Sequence, residues 1–336
     1  MKKTLMGGLA ALLAISTLSA CAGETIDAPS SSSESSDAVA DASAFPVTIE
    51  HKFGESIVNE APQRVVSVGY TDQDALLAFG ITPVLIREWE GMAPEGEIAG
   101  EWASDRADGE TEMLTGKEIN VEKVAEAKPD LIVATYSGID QEMYDKLSVI
   151  APVIAQKGEY PDYQQPWQVT TQEIGQAVGK GAEAEEMVQK LEKRFSDAAR
   201  PEWKGKKAIV AIWKGDKLYA FSSQDPRSRF FEELGFVIPS SIDEIAGDSF
   251  NASISPENVD VLNEADVIIW DQLSYAPNGK ESVTEESLFD NIDAVKNGHS
   301  VYLEGELEKA FGWQTVLSLN YALDNIQEPL AEATPK

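Results

Sequence analysis

Trp167-Gln-Val-Thr-Thr-Gln-Glu-Ile-Gly-Gln-Ala-Val-Gly-Lys-Gly-Ala-Glu-Ala-Glu-Glu-Met-Val-Gln-Lys-Leu-Glu-Lys-Arg-Phe-Ser-Asp-Ala-Ala199 contains no proline. Its apolar residues recur at Val169, Ile174, Val178, Met187, Val188, Leu191 and Phe195. That spacing predicts one long helix ending before Pro201, with Gly175, Gly179 and Gly181 as tolerated weak points or a bend. Gly179-Lys-Gly-Ala-Glu-Ala184 formally matches a dinucleotide-binding fingerprint, but it follows no strand and is set aside.

On the N-terminal side, Arg64 to Val68 is a β-branched run, Gln73 to Phe79 has helical spacing ending at Gly80, and Ile81 to Ile86 reads as a strand. A helix (Val121 to Ala127), a strand (Leu131 to Thr135), a helix (Gln141 to Val149) and a strand (Val153 to Ala155) follow. On the C-terminal side, strands fit Ala208 to Trp213, Leu218 to Ser222, Val267 to Trp270 and Val301 to Leu303. Helices between and after them fit Arg229 to Leu234, Glu257 to Asn263, Glu285 to Phe289 and Trp313 to Glu328. Alternating strands and helices define α/β architecture. The expected fold is two α/β lobes with central, mainly parallel sheets, residues 46–163 and 201–331, joined by a single long α-helix at 164–200.

The N-terminus adds an address. Lys2 and Lys3 precede an apolar run from Leu5 to Leu18 that stops at Ser19-Ala20-Cys21, which is the form of a secretory signal over residues 1–20. Leu18-Ser-Ala-Cys21 resembles the bacterial lipobox, which implies lipidation of Cys21, the only cysteine of the chain, and would leave no thiol for a disulfide, metal or nucleophile. Residues 21–45 are Ser-, Ala- and acid-rich and read as a flexible tether. The expected location is extracytoplasmic, held to the membrane by lipid at Cys21 alone. With 58 acidic against 27 basic residues and a formal charge of −31, the surface repels polyanions, and nucleic-acid binding is excluded.

One unit occurs twice. Ile119-Asn-Val-Glu-Lys-Val124 is echoed by Ile254-Ser-Pro-Glu-Asn-Val259, each followed by a strand (Pro129-Asp-Leu-Ile-Val133 and Ala265-Asp-Val-Ile-Ile269). Asn120 and Ser255 are good N-caps, and Glu122 and Glu257 favour the positive end of a helix. That local role accounts for each acid alone. The same acid on both lobes also suits docking on basic pockets of a two-fold symmetric partner.

From about Phe45 to Leu330 the chain resembles the substrate-binding proteins of iron-siderophore, haem and vitamin B12 ABC importers. The resemblance is carried by Arg64-Val-Val-Ser-Val-Gly-Tyr70, Asp74-Ala-Leu-Leu-Ala-Phe-Gly80-Ile-Thr-Pro83-Val, Lys128-Pro-Asp-Leu-Ile-Val133, the long helix, and Leu288-Phe-Asp-Asn-Ile-Asp-Ala-Val-Lys-Asn-Gly298. It implies that Glu122 and Glu257 engage arginine pockets of a permease dimer and that the lobes move little on binding. Ala134-Thr-Tyr-Ser-Gly-Ile139 with Leu147-Ser-Val-Ile-Ala-Pro152 is similar to the ferric-siderophore branch in particular.

Ligands of open α/β sheets collect at the carboxyl ends of the strands. The candidate contacts are Tyr70, Arg87, Trp89, Tyr136 and Ser137 on the first lobe, with Trp102 on the long loop from Glu88 to Glu118. On the second lobe they are Trp213, Arg227, Arg229, Trp270 and Tyr275; Gly69, Thr71 and Gly138 on the first lobe and Trp313 on the second are further candidates. Aromatic walls with a few guanidiniums suit a bulky Fe(III)-siderophore chelate. Only His51 and His299 exist, so no metal site of the protein's own and no cofactor is expected. A monomer carrying a small molecule to a permease is the main reading. A haem or corrinoid ligand is the alternative. An α/β hydrolase is the rival of another class, disfavoured because no Gly-x-Ser-x-Gly occurs and His299 is its sole plausible base.

Overall fold

A computed structural model describes residues 44–93 and 97–336. The signal, most of the tether and Cys21 lie outside the described residues. The chain first forms an antiparallel hairpin, β1 (Val47–His51) and β2 (Gly54–Val58), which the sequence reading does not contain. Its turn depends on Gly54 at φ +125, a region closed to most side chains. The Lys52 N–H donates to the Gln156 carbonyl at 2.9 Å and docks the hairpin on the first lobe.

That lobe is an all-parallel sheet in the order β5-β4-β3-β6-β7, with β3 at Val65–Ser67, β4 at Leu85–Arg87, β5 at Glu112–Leu114, β6 at Leu131–Ala134 and β7 at Val153–Ala155. β3, β4, β6 and β7 are buried throughout, as expected of strands covered by helices on both faces. Those helices include α1 (Asp72–Ala78), α2 (Val121–Glu126) and α3 (Gln141–Ser148).

The connection between the lobes is two helices, α4 (Trp167–Ala177) and α5 (Gly181–Ala198), where the spacing predicts one. The helix stops at Gly179, which adopts φ +74, and the Lys180 N–H returns to the Gly175 carbonyl at 2.7 Å, as in a glycine-terminated helix end. Gly175 is needed for a second reason. A Cβ there would lie 2.4 Å from the Ala184 Cβ, so its absence lets α5 pack on α4. The predicted weak points are therefore a real corner, and Lys180 Nζ pins it by donating to the Phe79 carbonyl at 2.6 Å.

The second lobe holds β8 (Ala208–Trp213), β9 (Leu218–Phe221), β10 (Asn251–Ile254), β11 (Val267–Trp270) and β12 (Ser300–Tyr302) in the order β10-β9-β8-β11-β12. β8, β11 and β12 are parallel, β9 runs antiparallel to β8, and β10 pairs antiparallel with β9. This sheet is thus mixed, because the short Lys214-to-Lys217 turn between β8 and β9 leaves no room for a crossover helix. Helices α6 (Pro226–Glu233), α7 (Ser240–Ala246), α8 (Glu281–Thr284), α9 (Asp293–Lys296), α10 (Gly305–Trp313) and α11 (Val316–Ala333) complete the lobe. Its largest core cluster also takes in Ala78 of α1, Trp167 of α4 and Leu191 and Phe195 of α5, so the connector is part of a continuous apolar interior.

The lobes are also tied directly. Asp74 of α1 accepts from Leu317 N at 3.1 Å and from Trp102 Nε1 at 2.6 Å, and Trp313 Nε1 donates to the Met92 carbonyl at 2.9 Å. These bonds agree with the small lobe movement that the resemblance implies.

Candidate functional site

A cleft of about 510 Å³ opens between the lobes at the carboxyl ends of the parallel strands. Its first-lobe wall is an aromatic row. Tyr70 follows β3, Trp89 follows β4, and their rings lie 5.7 Å apart. Tyr136, after β6, lies 6.3 Å from Trp89, and Tyr163 meets Tyr136 edge-on at 5.1 Å.

The loops that carry this row are fixed from beneath by one buried carboxylate. Asp72 accepts from Thr135 N and Thr135 Oγ1, both at 2.7 Å, and from Tyr136 N at 3.1 Å. Gly69 makes the contact possible, because a Cβ there would lie 2.1 Å from Asp72 Oδ2. Burial pushes the Asp72 carboxyl up to about 6 despite these bonds. Burial also pushes the Tyr136 phenol up to about 12, so at neutral pH it is a hydroxyl and not a phenolate.

The facing wall comes from the second lobe. Ile212 of β8, Tyr219 and Phe221 of β9 and Phe250 supply its apolar surface, and Arg227 of α6 supplies a guanidinium. Arg227 is 5% exposed and lies over the Phe221 ring at 3.6 Å. Asp225 binds it twice, Nε to Oδ1 and Nη2 to Oδ2, each at 2.7 Å. Burial opposes the charge of Arg227, but Asp225 more than offsets that and holds the group above its ordinary range.

Of the eleven residues read as ligand contacts, Tyr70, Trp89, Tyr136 and Arg227 meet in this cleft. The other seven do not line it. Arg87 is buried behind the wall, stacked on Tyr70 at 4.0 Å and donating to the Ser137 carbonyl at 3.3 Å and to the Lys117 carbonyl. It positions Tyr70 and does not face a ligand. Arg87→Ala is therefore expected to weaken ligand binding several-fold and to lower stability by about 1–3 kcal/mol, from lost packing on Tyr70 and the loss of its bonds to the Lys117 and Ser137 carbonyls, the latter keeping only the Tyr163 hydroxyl. Parallel titration and urea unfolding check this; weaker binding at unchanged stability would return Arg87 to direct contact.

Ser137 is buried and spends its hydroxyl on the Ala134 carbonyl at 2.7 Å. Trp102 packs edge-on to Trp313 at 5.2 Å in the tie between the lobes. Trp213 and Trp270 pack on Phe289 in the core, with Trp270 fully buried, because alternate residues of a sheet strand face its packed side. Arg229 donates to the Gln164 carbonyl at 2.7 Å beneath a different surface groove. Tyr275 sits exposed at the rim and bridges the lobes by donating to the Glu90 carbonyl at 3.1 Å.

The sequence reading misses Tyr163, Tyr219 and Phe250. Tyr219 was recoverable from strand alternation, since Leu218 and Ala220 face the core on the other side of β9. Tyr163 was not, because it enters the cleft from a non-regular loop at φ +67. Glu122 and Glu257 are both exposed in the first turns that follow Asn120 and Ser255. Asn120 caps α2 as expected, accepting from Lys123 N at 3.1 Å. Ser255 makes no such cap, and Pro256–Glu264 is a 3-10 helix where an α-helix is expected.

The buried acids give the protein a pH dependence. Burial pushes Asp72 and Asp74 up to about 6, and Glu173 and Asp271 up to about 7. A raised folded-state value means that the folded protein binds more protons than the unfolded chain between the ordinary carboxylate range and about 7. Stability therefore falls as pH rises through that window. The melting temperature is expected to be higher at pH 5 than at pH 8, and a melting curve that climbs with pH would contradict this assignment.

Two lobes facing each other across an aromatic cleft, joined by the α4–α5 connector, define a solute-binding protein. The chain belongs to the periplasmic binding protein family, whose model matches residues 66–307. It is a substrate-binding protein of transport and not an enzyme. It is 28% identical over 343 residues to the "Probable siderophore-binding lipoprotein YfiY" of Bacillus subtilis, covering 97% of this chain and 98% of that one. It is 26% identical over 293 residues to the Fe(3+)-citrate-binding protein YfmC of the same organism, covering 85% of each. The crystal structure of Streptococcus pneumoniae PiaA in complex with ferrichrome matches with a TM-score of 0.75 at 30% identity, over 86% of this chain and 98% of that one.

Proposed function

We propose that the protein is the extracytoplasmic capture component of an ABC importer, holding a ferric-siderophore chelate in the cleft and handing it to a permease dimer. The observation that carries this reading is the pair of aromatic walls, Tyr70–Trp89–Tyr136–Tyr163 opposite Tyr219, Phe221 and Phe250, with Arg227 between them. A chelate shows apolar surface and oxygen atoms outward, which aromatic faces and hydroxyl or guanidinium donors match. The iron arrives inside the siderophore, so the protein needs no resident metal or cofactor. The ferrichrome-bound and siderophore-binding relatives support the same reading.

Cys21 is the lipid anchor in this proposal, and Glu122 and Glu257 are the docking acids. The protein acts as a monomer. A haem ligand would ask for an axial His or an ionisable Tyr. His51 is 7% exposed against Ser56, His299 precedes β12, and neither lines the cleft.

Trp89 makes the proposal testable by its own fluorescence. Saturable quenching by a ferric chelate is expected, largely lost in Trp89→Ala. Quenching by haem or cobalamin, with none by any ferric chelate, overturns it.

A further inference from the structure

Carboxylates stand beside the cationic side chains that line the cleft. Arg227 is bound on two nitrogens by Asp225, and a second acid, Asp271, adds its field to the same guanidinium. Asp271 is 1% exposed, and neither of its oxygens has a hydrogen-bond partner. It directly precedes Gln272, which lines the cleft. On the opposite wall, Arg87 has given two nitrogens to carbonyls and its face to Tyr70. At the mouth, Lys117 and Lys214 share the lining with Glu88 and Glu90. Among the described residues, the three cationic side chains that line the cleft, Arg227, Lys117 and Lys214, thus stand with the four carboxylates of Asp225, Asp271, Glu88 and Glu90.

We infer that the cleft selects chelates carrying no net negative charge, and that Asp271 is a specificity-determining residue that enforces this by cancelling the field of Arg227. The inference rests on the siderophore reading and narrows it. Three hydroxamates each give up one proton and cancel the charge of ferric iron, leaving a neutral complex. Three catecholates each give up two and leave a trianion. Placing a trianion beside Arg227 also brings it under the field of Asp225 and Asp271, in a partly desolvated site where like charges repel strongly. A neutral trihydroxamate meets the aromatic faces and the paired Arg227 guanidinium there without net repulsion.

The full chain titrated at pH 8, above the Asp271 value of about 7, by tryptophan fluorescence with ferrichrome and with ferric enterobactin tests this. Ferrichrome is expected to bind at least about tenfold tighter, with an affinity nearly independent of salt. In Asp271→Asn the ratio of ferric enterobactin to ferrichrome affinity is expected to rise about tenfold. Wild-type protein that binds ferric enterobactin as tightly as ferrichrome, with affinity falling as salt is raised, overturns the inference while leaving the siderophore reading intact. A folded Asp271→Asn protein with an unchanged ratio removes Asp271 from the role. Binding of neither chelate defeats the inference, and the siderophore reading falls with it when a ferric citrate chelate also fails to bind. The wild-type salt dependence decides the charge preference even where the variant does not fold.

Discussion

Arg227→Ala is expected to lower stability by about 3–5 kcal/mol and to reduce chelate binding below detection, the largest effect of any single substitution proposed for this protein. The guanidinium occupies a site where Asp225 is 0% and Asp271 1% exposed. Removing it leaves two carboxylates in a low-dielectric interior without their counter-charge. Asp271 escapes part of that cost by taking up a proton, since burial already pushes it up to about 7. Asp225 also caps α6, accepting from Arg227 N at 2.9 Å. The Phe221 ring also loses the cation stacked on it at 3.6 Å. Arg227→Lys should fall between, because an ammonium cannot bind Asp225 on two edges. Urea unfolding measures this as a lower midpoint at unchanged slope. An Arg227→Ala protein within 1 kcal/mol of wild type would show that the two acids are not held by this arginine.

The double variant Glu122→Ala with Glu257→Ala should reduce uptake of chelated iron by more than about a hundredfold, while fluorescence titration of the purified protein stays unchanged. Both acids are exposed and neither lines the cleft, so their loss has no route to the binding site. Its own backbone N–H and Ser255 hold Glu257 below the usual carboxylate value, so it is charged at every physiological pH. The expected size follows from truncating two charges that are desolvated when the partner docks, each worth about 2 kcal/mol or more. Each single variant should transport at an intermediate rate. Normal uptake by the double variant, measured in cells whose own copy is deleted, would remove the docking role from both residues.

Parallel-sheet architecture was legible because buried strands must be continuous apolar runs. β7, β8 and β11 fall on the residues that the sequence predicts. The repeated Glu122 and Glu257 units were legible for a related reason, since a helix start is a local matter of capping and dipole. The hairpin β1–β2 and strand β10 were not, because short strands with exposed alternate residues carry a weak signal. The two-helix connector lay between these cases. Its glycines were visible, but only the packing of Ala184 on Gly175 turned a weak point into a corner.

The cleft divides the same way. The rule that ligands gather after parallel strands placed Tyr70, Trp89 and Tyr136 in one wall, since a strand end fixes where the next residues emerge. It failed for Trp213 and Trp270, because which face of a strand is covered depends on the helices that pack there. It failed for Arg87 as well, since a side chain long enough to reach the cleft also reaches the Lys117 and Ser137 carbonyls behind it. The sequence by itself determined two α/β lobes, an acidic exported chain and the aromatic character of one wall, all of which follow from local pattern and composition. Only the tertiary structure decided that Tyr163, Tyr219 and Phe250 complete the cleft and that Arg227 shares its charge with Asp225 and Asp271. Those facts depend on distances between segments far apart in the chain, and local spacing does not encode them.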